Sequence, residues 1–170
     1  MLIDKKLSVN HLEPNVTLDD GITYINTSQW MLAYALFAYL YKNAKVKSVV
    51  LLYNMALCYH FANEYTKATA VLTEALTQIS IPSISSQSKP SLPSELLNHE
   101  YENSQYRYAL NETAVELNLD LVKLRARRLL VDVQLALGNW QEVIRLSALP
   151  DMDKCKNVLE ALAIAKSKNT

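Results

Sequence analysis

The stretch Ser48–Ile79, SVVLLYNMALCYHFANEYTKATAVLTEALTQI, limits the fold more than any other part of the chain. In its second half Ala68, Val71, Leu72, Ala75, Leu76 and Ile79 recur at offsets of three, four, seven, eight and eleven. That spacing is one face of an α-helix, not the alternation of a strand. Thr66, Lys67, Thr69, Thr73, Glu74 and Thr77 take the opposite side. The first half is different: from Val49 to Ala62 only Asn54 and His60 interrupt an apolar run. A helix that is apolar all round has to be covered on more than one side. Between the halves, Ala62-Asn63-Glu64-Tyr65 predicts a tight turn, because asparagine tolerates left-handed backbone angles and can end one helix and cap the next. Two antiparallel helices cannot bury both faces alone, so neighbouring pairs are required, which is the logic of a repeat protein.

These residues resemble a known family. YNMALCYHFANEYTKATAVLTEAL is similar to one tetratricopeptide repeat. Ala56 stands in the small slot of the first helix and Tyr59 in its aromatic slot. Tyr65 takes the aromatic slot after the turn, and Ala68 and Ala75 take the small slots of the second helix. Asn63 replaces the family's glycine, and Pro82 stands slightly late for its terminal proline. A degenerate second copy runs over 119–150, where Leu121, Leu124, Leu130, Val133 and Leu137 carry helical spacing. Gly138 fills the glycine slot and Trp140 the aromatic one. Val131 and Val143 sit where small residues are usual, Gln134 replaces the aromatic, and Pro150 limits the second helix to about ten residues. The resemblance implies an all-α fold over 1–170. It would be a short right-handed superhelix of antiparallel helix pairs, with about six or seven helices in all.

The remaining segments are read around these pairs. Residues 1–25 are expected to be mostly irregular, with Leu7, Val9 and Leu12 ahead of Pro14, Asp20-Gly21 as a turn, and Ile22, Tyr24 and Ile25 extended over the first helix. Asn26-Thr27-Ser28 offers caps for a helix to about residue 43, whose stripe of Trp30, Met31, Tyr34, Phe37, Ala38, Leu40 and Tyr41 is too wide for one packed face. That width makes a homodimer face the sharper alternative to core packing. Residues 80–94, SIPSISSQSKPSLPS, read as a long Ser/Pro-rich loop. Ser94 offers a cap for a helix through Leu97 and Tyr101 toward Tyr106. Asp151 or Asp153 offers the start of a last helix carrying Cys155, Val158, Leu159, Leu162 and Ala165. That helix is expected to close the exposed end of the stack, with Lys156, Lys166 and Lys168 in water.

Charge narrows the function classes. Lys+Arg and Asp+Glu both number 17, so no basic field exists to grip nucleic acid phosphates or anionic lipid. The run Trp30–Tyr41 is too short to cross a bilayer, and the N-terminus lacks the apolar core of a signal peptide. Cys58 and Cys155 read as small buried hydrophobes in a reducing cytoplasm. His11, His60 and His99 lie in separate segments with no ligand spacing, and no nucleophile elbow or phosphate loop occurs. No catalytic residue, metal or cofactor is therefore expected. Glu100 with Glu102, or a pocket near Tyr101–Tyr108, would be the place to look for chemistry if the chain were an enzyme.

By resemblance, the first helix of each repeat lines an inner groove that binds a protein or peptide partner, in the manner of a scaffold or adaptor. Val50, Tyr53, Asn54, Leu57 and Phe61 would line it in one repeat, and Arg125, Arg128, Leu129 and Asp132 in the other. Some members grip a peptide's terminal carboxylate there; this chain supplies Asn54, Arg125 and Arg128 of such a set. The plainer reading is a solvated face with Arg128 paired to Asp132 at i,i+4. Two further readings stay open: bidentate pairing of the arginines with an acidic peptide, and a homodimer whose groove is filled by its own loop.

Overall fold

A computed structural model describes residues 15–81 and 92–169. Among these residues the fold is all-α, with adjacent helices packed in a repeat-like arrangement. The helices are α1 (Leu18–Asn26), α2 (Trp30–Asn43), α3 (Val49–Phe61), α4 (Tyr65–Ile79), α5 (Ser94–Glu102), α6 (Glu112–Leu117), α7 (Leu119–Ala136), α8 (Trp140–Ser147) and α9 (Lys156–Lys168). That is more helices than the sequence led us to expect. The pairs α1–α2, α3–α4 and α7–α8 stack in chain order, and α9 packs on α7 and α8 to close the end. Residues 92–118 leave this order and cross α3 and α7 on one side.

The three pairs share one turn. Each first helix ends at a residue with positive φ: Ser28 at 60°, Asn63 at 59° and Gly138 at 72°. In each, the next N–H reaches back five residues, from Gln29 to the Tyr24 carbonyl, from Glu64 to that of Tyr59 and from Asn139 to that of Gln134. The residue at positive φ donates to Ile25, His60 or Leu135 in turn. These are Schellman closures, which satisfy the carbonyls left over at a helix end. Each second helix then opens on an aromatic residue: Trp30, Tyr65 or Trp140.

The N-terminal expectation is corrected by α1. Thr17 and Asp20 form a capping box, with the Asp20 carboxylate accepting from the Thr17 N–H at 2.9 Å. Asp20-Gly21 is thus the first turn of a helix. Gly21 is there because a Cβ would fall 2.6 Å from the Phe37 ring, so α1 and α2 approach closely only at glycine. Ser28 belongs to the turn, and α2 starts at Trp30 without a side-chain cap. Asp151 and Asp153 do not open α9, which begins after Cys155; Asp151 has φ 64° and precedes a 3-10 turn at Met152–Lys154. Leu7, Val9, Leu12, Pro14, Pro82 and most of the 80–94 loop lie outside the described residues.

Helix α3 is the centre of the core. Every residue from Val50 to Cys58 is buried, so the all-round apolar helix is covered on all sides by α2, α4 and the crossing segment. Cys58 and Cys155 are free and buried, and burial pushes their thiols up to about 12 and about 11. Among the described residues no helix is long and apolar enough to cross a membrane.

Candidate functional site

The protein's own residues 100–110 lie against both α3 and α7, the helices expected to line the groove, and bond to each. Asn54 is the single polar residue inside the buried part of α3. Its Nδ2 donates to the Leu110 carbonyl at 2.8 Å, and the Leu110 N–H donates to its Oδ1 at 2.8 Å. One side-chain amide so imitates a neighbouring strand and satisfies both backbone groups of a buried residue. The Tyr53 hydroxyl donates to the Tyr106 carbonyl, and burial pushes that phenol well above its ordinary range, so it stays a donor. On α1, Asn26 Oδ1 accepts from the Ala109 N–H at 3.1 Å.

Helix α7 holds the other end of the segment. Arg125 grips the Glu100 carboxylate with two bonds, Nε to Oε1 at 2.6 Å and Nη2 to Oε2 at 2.7 Å. Arg128 is 1% exposed and aims its guanidinium at the C-terminal end of α5. It donates to the carbonyls of Glu100, Tyr101 and Asn103, the latter two at 3.3 and 3.0 Å. Nε donates to Asn157 on α9 at 2.8 Å. The orphan carbonyls and negative dipole end of α5 thus neutralise a buried cation. The Tyr106 ring lies 4.3 Å from the Arg128 guanidinium carbon.

Several groove expectations change with this geometry. Asp132 does not pair with Arg128. It binds Arg107 Nη2 at 2.6 Å and accepts the Tyr106 hydroxyl at 2.7 Å and Asn157 Nδ2 at 2.9 Å. Burial and then Asp132 push the Tyr106 phenol up. Val50, Tyr53, Asn54, Leu57, Arg128 and Leu129 are all buried, so they line a filled groove and not an open one. The filler is the stretch after Ser94, which brings Glu100 for the arginines and Tyr106 and Leu110 for the apolar floor. Phe61 leaves the set: it is 57% exposed at the far end of α3 and stacks on Trp30 at 4.3 Å.

Among the described residues every buried side-chain nitrogen and oxygen has a partner, so the filled groove is chemically saturated. No protein-family model, curated protein or solved structure matches this chain. The tyrosines marked as a possible pocket are dispersed. Tyr101 lines a pocket with Leu97, Leu121 and Leu124, Tyr106 sits in the groove, and Tyr108 is exposed. Among the described residues no group of His, Cys, Asp and Glu is placed to hold a metal ion. Asn26, Glu100, Tyr106, Arg107, Leu110 and Asn157 were not anticipated as partners of the groove. The available hint was Asn54, a lone amide in an apolar helix, which must find a backbone to bond.

Proposed function

We propose that this chain is a non-enzymatic, tetratricopeptide-like scaffold whose inner groove recognises polypeptide main chain and holds residues 100–110 as a ligand in cis. The observation that carries the reading is the two-bond closure of Asn54 on the Leu110 backbone. It reads main chain and not side chain, so the same chemistry suits a segment of another protein. Arg125 adds selectivity for a carboxylate where Glu100 now lies. A protein partner would engage by displacing this segment.

Amide exchange tests this on the intact chain. If the segment is a ligand, the Arg107, Tyr108 and Leu110 amides exchange through a local opening well below the free energy that protects α3 and α7. An excess of a peptide spanning residues 97–112 should then raise their exchange further. Exchange of these amides only with global unfolding would make the segment ordinary core and reject the reading.

A second reading, a homodimer through α2, is favoured by Met31 at 88% exposure beside the stacked Trp30 and Phe61. Light scattering at micromolar concentration is its check. A dimer gives twice the 19.2 kDa chain mass, and the monomer mass dismisses it.

A further inference from the structure

Helix α7 carries cations on two nearly opposite faces, since residues 123, 127 and 130 lie about half a turn from 125, 128 and 132. The inner cations are neutralised by the crossing segment. On the outer face Lys123 and Arg127, both half-buried, have neither hydrogen bond nor ion pair among the described residues. Burial lowers the Arg127 pKa with no carboxylate to oppose it. They border a groove between α4 and α8 with an apolar floor of Leu76, Leu130, Leu146 and Leu149. The groove's one carboxylate, Glu142, is taken by Arg145 at 2.6 and 2.7 Å.

We infer that this outer groove docks an acidic amphipathic helix of a protein partner, with leucine-type side chains on the floor and carboxylates on Lys123 and Arg127. The polar inventory selects a helix. The hydroxyls of Thr73, Thr77 and Ser80 along one wall already donate to their own helix, to the carbonyls of Thr69, Thr73 and Leu76 at 2.8, 2.9 and 2.8 Å. Little is left to satisfy an extended backbone, so the occupant must bring its main chain already bonded. Charge selects acid: two unpaired guanidinium or ammonium groups beside apolar surface favour carboxylates. The adjoining residues 82–91, PSISSQSKPS, contain none and do not supply that complement.

The probe is a synthetic helical peptide with leucines at i, i+3, i+4 and i+7 flanked by glutamates, titrated into the isotopically labelled full chain. We expect saturable amide shifts within 73–81, 123–130 and 142–149, weakening with salt. Lys123→Glu with Arg127→Glu should reduce affinity about tenfold or more, and Arg127→Gln by less. A peptide of the same composition with its leucines spread round the helix should bind far more weakly. Shifts confined to other residues, equal binding by the charge-reversed chain, or no binding at millimolar peptide would each overturn the inference. So would occupation of the groove by a second copy of the chain. Binding that appears only after residues 82–91 are replaced by Gly-Ser would do the same, assigning the groove to the chain itself. The measurement is independent of the inner groove, because Asn54 and the 100–110 segment lie on the other face of α7 and keep their own exchange readout.

Discussion

Arg128→Ala is expected to lower unfolding free energy by about 3–5 kcal/mol, read as a shifted urea midpoint at unchanged slope. The guanidinium donates to the carbonyls of Glu100 and Tyr101 at the end of α5, and it also serves Asn103. Its removal leaves buried acceptors unpaired, strips Asn157 of a partner and opens space beneath the Tyr106 ring. Arg128→Met separates these causes, since it fills the space and restores no hydrogen bond. It should recover the cavity part of the loss and no more. Arg128→Lys keeps charge but cannot fork across three carbonyls and Asn157, so it should fall between. A loss under about 1 kcal/mol for the alanine variant would mean that water replaces the guanidinium, and the account of α5 would have to go. One practical result follows for binding work: a partner lost in Arg128→Ala reports damage to the fold, not a missing contact.

The second large effect belongs to Asn54. Asn54→Leu conserves volume and removes both bonds to Leu110, leaving a buried N–H and a buried carbonyl unpaired. Each orphan costs about 1–3 kcal/mol, so about 2–6 kcal/mol should vanish from the closure of residues 100–110 over the groove. The loss should be local. Arg107 and Tyr108 amides, bonded to Ser104 and Gln105, are expected to exchange much faster, while amides of α7 and α8 keep most of their protection. Uniform loss of protection across every helix would show that the segment and the helix pairs unfold as one unit.

The helix pairs were legible because their signals are local. The 3.6-residue spacing of Ala68 to Ile79, the turn at Asn63 and the Gly138-to-Trp140 turn each announce themselves within a few residues. A helix ending near residue 43 was expected where α2 lies, but its partner α1 was missed though the turn between them is the same. Thr27-Ser28-Gln29-Trp30 aligns with Ala62-Asn63-Glu64-Tyr65 and Leu137-Gly138-Asn139-Trp140, but serine seldom takes positive φ and reads as a cap. Asp20-Gly21 misled for a related reason: the glycine answers to the Phe37 ring, a tertiary demand with no local trace. The residues expected to line a groove on α3 and α7 are mostly buried, and a groove filled by the chain itself was only an alternative among the readings. That Glu100 meets Arg125 and Leu110 meets Asn54 depends on pairings across 25 and 56 positions, which no spacing rule encodes. Their chemistry was hinted at, since an acidic partner for the arginines was among the readings; what changed is that the chain brings its own.

The shared turn has a consequence for how such a molecule tolerates being lengthened. Each pair is locked by a three-residue connection that fixes where one helix stops and where the next aromatic residue lands, so an added residue there would rotate a whole helix out of step. Between pairs no such lock exists, and residues 80–118 show how much polypeptide that joint accommodates without disturbing the contact of α4 with α7. An engineer adding a tag, sensor or second binding loop should therefore splice between pairs but away from residues 100–110, and leave the hinges of 27–29, 62–64 and 137–139 alone.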